Sequence, residues 1–199
     1  MSIVIAYFQE WFRLVFFFYI LLYFSKFFVR QQLPLFTNSI TMKIGVISDT
    51  HLKEVNSHLI EIYTNYFSDV DMIIHTGDLI SGEIVDFLSQ KPLNVVHGNM
   101  DNFDIKKKFP KKKILEVHGF RLGLIHGWGS PFGIEKRIRP EFDNIHAIIY
   151  GHSHKAVNHI DNGVIFFNPG TATGFSISGS HSIGILEVSD QIYSTIIRV

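Results

Sequence analysis

Ile44-Gly45-Val46-Ile47-Ser48-Asp49-Thr50-His51 decides how this chain is read. An uncharged apolar run ends abruptly in Ser-Asp-Thr-His, the pattern of a buried strand entering a loop. The same arrangement recurs twice. Met72-Ile73-Ile74 ends in His75-Thr76-Gly77-Asp78, and Leu93–Val96 ends in His97-Gly98-Asn99-Met100-Asp101. Between these runs Leu59, Ile62, Tyr63, Tyr66 and Phe67 recur at helical spacing. Ile84, Val85 and Leu88 mark a second helix behind Ser81, whose hydroxyl suits an N-cap. This β-α-β-α-β alternation predicts a sheet with a parallel section and helices on its faces.

Further along, short strands replace helices. Ile114–Val117 and Arg121–Ile125 flank His118-Gly119-Phe120, a hairpin signal, and a helix is expected within residues 131–142. Ala147–Tyr150 is a short strand ending in Gly151-His152. Val157–Ile160 and Val164–Phe167 flank Asp161-Asn162-Gly163, a strong hairpin turn. Ile183–Val188 and Ile192–Ile197 form a last pair around Ser189-Asp190. A mixed sheet, or two packed sheets with outer helices, fits this order.

Composition divides the 199 residues near Met42. Residues 1–41 hold 9 of the 19 phenylalanines, none of the glycines or histidines, and a net charge of +2. Residues 42–199 carry a net charge of −2 and all the candidate chemistry. The apolar run Leu14–Phe24 is shorter than the roughly 20 residues of a comfortable membrane span. No small-residue cleavage site follows it, so a signal peptide fits badly. A membrane anchor, an interfacial helix and an upstream extension before a natural start at Met42 all stay open. The globular part is expected in the cytoplasm, tethered to a membrane only if residues 1–41 insert.

The chain is formally neutral and contains no cysteine. Disulfides, thiolate zinc sites and cysteine nucleophiles are therefore excluded. Overall charge gives no reason to expect a nucleic-acid partner. The lysines at 106–108 and 111–113 are read as a solvated loop. Homo-oligomerisation stays open.

Asp49, His51, Asp78, Asn99, His126, His152 and His154 follow apolar runs, so their loops are expected to gather at one sheet edge. Imidazole and carboxylate together suit Mn, Zn, Fe or Ni. Each motif alone has an ordinary structural reading, as a cap or a loop histidine. All of them in this order favour a site for two metals. His75 is either a buttress or strand packing. His58, His118, His146, His159 and His181 are read as structural or surface residues.

Asp49-Thr-His51, Gly77-Asp78, Gly98-Asn99-Met-Asp101, His126-Gly127, Gly151-His152-Ser-His154 and Asn168-Pro169-Gly170 resemble the calcineurin-like metallophosphoesterases. The resemblance is specifically to the compact YfcE-type phosphodiesterases, and it covers about residues 42–199. It implies a four-layer α-β-β-α sandwich and hydrolysis of phosphate esters with two divalent ions, Mn foremost and Ni, Zn, Fe or Mg as alternatives. It further implies that Asp49, His51 and His154 hold one metal, that Asn99, His126 and His152 hold the other, and that Asp78 bridges them. Asp49, Asp78, Asn99 and His152 would act by positioning metal and phosphate for in-line attack by a bridging hydroxide. Larger members have His after the Gly-Asn, whereas here Met100 stands there and cannot donate a proton. Asp101 is expected to orient the Asn99 loop. A non-catalytic interaction module on the same fold is the competing function, and the complete ligand set argues against it.

Overall fold

The computed structural model describes residues 40–176 and 179–199. The expectations for residues 1–39 lie outside the described residues. Among the described residues, no helix is long and apolar enough to cross a membrane.

Two five-stranded mixed sheets face each other. The first runs β10-β9-β1-β2-β3, with β1 Met42–Ile47, β2 Met72–His75, β3 Leu93–Val95, β9 Ser182–Val188 and β10 Ile192–Arg198. The second runs β4-β5-β6-β8-β7, with β4 Lys112–Val117, β5 Phe120–Ile125, β6 Ala147–Tyr150, β7 Val157–Asp161 and β8 Val164–Asn168. Ile44, Val46, Ile74, Leu122, Leu124, Ile149 and Phe167 meet between the sheets and form the dry centre. Removing such side chains from water is the main favourable contribution to folding.

Helix α1 (Ser57–Ile62, continued by a π-helical turn at Tyr63–Phe67) and α2 (Gly82–Leu88) cover the first sheet through Leu59, Ile62, Phe67, Ile84 and Leu88. Asn56 Oδ1 caps α1 by accepting from Leu59 N at 2.9 Å, and Ser81 Oγ caps α2 from Glu83 N at 3.2 Å. Helix α4 (Ile134–Ile138) covers the second sheet through Ile134, Ile138 and their contacts with Ile148 and Phe166. The order is thus helix, sheet, sheet, helix, the expected four-layer sandwich.

One expectation fails. The first lysine run does not lie in a loop but ends helix α3, Phe103–Lys108. Asn102 Oδ1 caps it at Ile105 N, 3.0 Å, and Ile105 buries its apolar contact. Lys106–Lys108 occupy the last turn, where the helix dipole favours cations. Lys112 and Lys113 begin β4, an edge strand, where lysines discourage pairing with another chain.

Register explains where the site forms. Parallel pairing places Ile47 opposite His75 and His75 opposite Val95, so β1, β2 and β3 end together. In the other sheet Ile125 pairs with Tyr150, bringing the ends of β5 and β6 level. The loops carrying all seven candidate ligands leave these five strand ends.

Candidate metal centre

Asp49 and Asp78 form the floor of the site, with 0% and 2% of their surface exposed. Ser48 Oγ donates to Asp49 Oδ2 at 2.6 Å, and the His152 amide donates to the same oxygen at 3.1 Å. Asp49 Oδ1 is buried and has no hydrogen-bond partner. His154 Nε2 stands 3.2 Å from it, and His51 Nε2 stands 3.8 Å away. Asp78 is tied in the same manner. Its Oδ1 accepts from the Met100 amide at 2.7 Å, leaving Oδ2 to face His126 Nε2 at 3.3 Å and His51 Nε2 at 3.7 Å. Each carboxylate therefore points one oxygen into the site.

Backbone carbonyls fix the imidazoles. His126 Nδ1 lies 2.7 Å from Thr76 O, His154 Nδ1 lies 2.6 Å from Phe175 O, and His152 Nε2 lies 2.7 Å from Gly129 O. A carbonyl only accepts, so each of these nitrogens carries the proton and the other ring nitrogen of the neutral ring presents a lone pair. In that neutral form the second nitrogens face acceptors. His154 Nε2 faces Asp49 Oδ1, while His126 Nε2 and His152 Nδ1 approach Asn99 Oδ1 at 3.2 and 2.9 Å. His51 Nε2 and His154 Nε2 are 3.2 Å apart. Acceptor facing acceptor is unfavourable unless a positive charge lies between them.

The electrostatics carry the same message. Burial pushes the Asp49 carboxyl up, yet His154 and His51 beside it hold it far below its usual range. Burial also opposes ionisation of Asp78, and the His126 contact and the Met100 amide outweigh it. Burial lowers His126, but Asp78 and Asp49 raise it overall. His154 is raised by Asp49 against a smaller burial effect. Two buried carboxylates thus draw positive charge into one small space.

Asp49, His51 and His154 form one group whose donor atoms all lie within 4.8 Å of one another, and Asp49, Asp78 and His126 form a second. Asn99 and His152 close the second group on its solvent side. The seven residues are brought together. The donor set of carboxylates, imidazoles and one amide, with the Asp49 oxygen left without a hydrogen bond, fits divalent cations.

Surrounding residues hold these loops. Asp101 accepts from Asp78 N at 3.0 Å, Ile80 N at 2.7 Å and Gly98 N at 2.7 Å, stapling the β2 loop to the β3 loop. His75 is fully buried, and that burial pushes its imidazole down to about 4. Neutral at ordinary pH, it accepts from Gly77 N at 3.1 Å and reaches Thr50 Oγ1 at 3.3 Å. It is a buttress. Asp49, His51, Asp78, His152 and His154 all adopt positive φ, between 51° and 68°. Such a backbone costs a side-chain-bearing residue about 1 kcal/mol or more and persists only where neighbours enforce it. Sequence reasoning missed Ser48, and it missed Thr171, whose Oγ1 donates to Asp49 O at 2.8 Å. A serine and a threonine beside a glycine-rich loop give no distinctive signal.

The model of the calcineurin-like phosphoesterase superfamily domain matches residues 42–191. The chain belongs to this superfamily. A probable metallophosphoesterase of Methanothermobacter thermautotrophicus is 37% identical over 136 residues, covering 66% of this chain and 78% of that protein. A phosphodiesterase of Methanocaldococcus jannaschii is 29% identical over 170 residues, 78% of this chain and 99% of its own length. Among solved structures, vacuolar protein sorting 29 of Cryptosporidium parvum superposes with a TM-score of 0.62 over 80% of this chain and 98% of that one. At 23% identity that likeness concerns the fold alone. With its family and its Asp/His groups together, this calcineurin-like chain is a metal-dependent phosphoesterase.

Proposed function

We propose that residues 42–199 act as a phosphodiesterase with two divalent cations, Mn foremost. The observation that carries this reading is the convergence of imidazole nitrogens on the Asp49 carboxylate in one half of the site and on the Asn99 amide oxygen in the other. Asp49, His51 and His154 would hold one cation, and Asn99, His126 and His152 the other. Asp78, whose Oδ1 accepts from the Met100 amide, would serve both. Such a pair supplies an activated water near neutral pH and offsets charge on the phosphoryl oxygens during in-line displacement.

The protein's own contribution is placement. Asp49 and Asp78 are buried, whereas Asn99 is exposed and His152 is half-buried. The phosphoester therefore arrives over Asn99 and His152, with the carboxylates beneath. The Thr76, Phe175 and Gly129 carbonyls keep three imidazoles oriented before substrate arrives, so little reorganisation accompanies the reaction. Lys106 Nζ donates to Asn99 O at 2.8 Å and steadies that loop.

The residue after Asn99 offers no proton to the leaving oxygen. Met100 is 60% exposed and its thioether carries no proton. Diesters whose leaving group departs unprotonated are therefore the fastest substrates. Across a series of aryl methyl phosphates, log kcat/KM should fall steeply as leaving-group pKa rises, and a flat plot would place a general acid in the site.

The central test uses the full chain stripped of metal and assayed with bis(p-nitrophenyl) phosphate. Turnover should be absent without metal and restored by Mn. Equal rates with and without Mn would overturn the metal mechanism. Absence of turnover in both would leave the interaction module as the better reading.

A further inference from the structure

His154 faces two ways. Its Nε2 looks toward Asp49 Oδ1, and the same residue lines a cavity of about 770 Å³ beside the metal centre. That volume lies within the range of small-molecule sites. Ile134, Val157, Ile196 and the ring of Tyr150 give it apolar walls.

Its charges are unevenly matched. Glu135 accepts from the Tyr150 hydroxyl at 2.6 Å and lies 3.0 Å from His159 Nε2, so its carboxylate is answered locally. Lys136, Lys155 and Arg198 also line the cavity, and they come from α4, the loop after β6, and β10. All three are exposed, and their side-chain charges have no hydrogen-bond or ion-pair partner among the described residues. Three unpaired cations around apolar walls suit a ligand with an apolar or aromatic body and its own negative charge.

We propose that this cavity receives the second ester arm of the substrate: a group of about nucleoside size, aromatic or apolar in body, bearing a further anionic group. The assignment rests on the phosphodiesterase reading, because phosphorus held at the metal ligands brings one ester arm to the wall that His154 shares.

Three esters with one leaving group test it in the full-length chain with Mn: methyl p-nitrophenyl phosphate, thymidine 5′-(p-nitrophenyl phosphate), and the latter phosphorylated at its 3′ oxygen. kcat/KM should rise along the series. The Lys155→Glu/Arg198→Glu double variant should erase the last gain, roughly fivefold or more. Ala156→Trp, which adds bulk at an exposed lining position, should lower the nucleoside-to-methyl ratio. Calorimetry with thymidine 3′,5′-bisphosphate gives a readout without turnover, and the double variant should weaken that binding. Equal rates along the series, or a preference and a binding constant that survive both variants, would overturn the cavity assignment while leaving the phosphodiesterase intact. Bisphosphate binding lost in the double variant, with no ester turned over, would uphold the cavity and overturn the catalytic reading.

Discussion

Asp78→Asn should lower kcat with Mn by about 10³-fold or more while leaving the fold in place. The substitution is nearly isosteric. The asparagine carbonyl can still accept from the Met100 amide, now 2.7 Å from Oδ1. Its NH₂ then occupies the place of Oδ2, 3.3 Å from His126 Nε2, and can donate to that nitrogen in the neutral ring. Hydrogen bonding survives, but the negative charge shared by both half-sites is gone. Burial opposes the Asp78 charge, but the His126 contact and the Met100 amide outweigh it and hold the carboxyl below its usual range, so the metal-free variant should be somewhat less stable than the parent above the carboxylate range. The distinguishing measurement is the rise in Tm on adding Mn. Ligand binding to the native state stabilises by RT ln(1 + [L]/Kd), so the parent should show a clear rise and the variant little. A variant that keeps parental kcat and the full Mn-induced shift would remove Asp78 from the metal site.

The parts of this architecture that were legible in the sequence are those carried by side-chain type. Ile44–Ile47 reads as buried because nothing polar interrupts it, and the polar residue after each apolar run marks a strand end. Asn162-Gly163 reads as a hairpin turn because both residues tolerate positive φ, and both adopt it, at 47° and 76°. What escaped is carried by backbone atoms and by long-range contact. No residue pattern announces that the Thr76, Phe175 and Gly129 carbonyls orient the imidazoles, since any residue supplies a carbonyl. The positive φ at Asp49 or His152 is equally silent, because the surrounding hydrogen bonds impose it rather than local preference. Lys106–Lys108 look like loop in the sequence although they end helix α3, because the single buried Ile105 gives too little periodicity to register. The cavity beside His154 joins α4, β6 and β10, elements far apart in the chain, so no local pattern points to it.

Gly98→Ala tests the same site through one methyl group. Gly98 lies between β3 and Asn99, and its backbone passes directly over the Asp78 loop. A Cβ there would overlap Asp78 Oδ1 and would stand 2.7 Å from Asp78 N. Asp78 N is already held by Asp101 at 3.0 Å, and Gly98 N is held by the same carboxylate at 2.7 Å. Neither loop can retreat without breaking that staple. The methyl should therefore displace the Asp78 carboxylate and the adjoining Asn99 together. Overpacking of this kind costs about 1–3 kcal/mol of stability. Displacing positioned groups by about 1 Å costs on the order of 10²-fold in kcat/KM. Gly82→Ala is the matched control. Gly82 opens α2, and a Cβ there meets nothing within 4 Å. Alanine should hold or raise stability at that position by up to about 1 kcal/mol, with kcat/KM unchanged. Urea unfolding and Mn-dependent hydrolysis of bis(p-nitrophenyl) phosphate measure both variants. Parental turnover in Gly98→Ala would show that close contact between the β2 and β3 loops does not set the position of Asp78, and the mechanism would lose its central constraint.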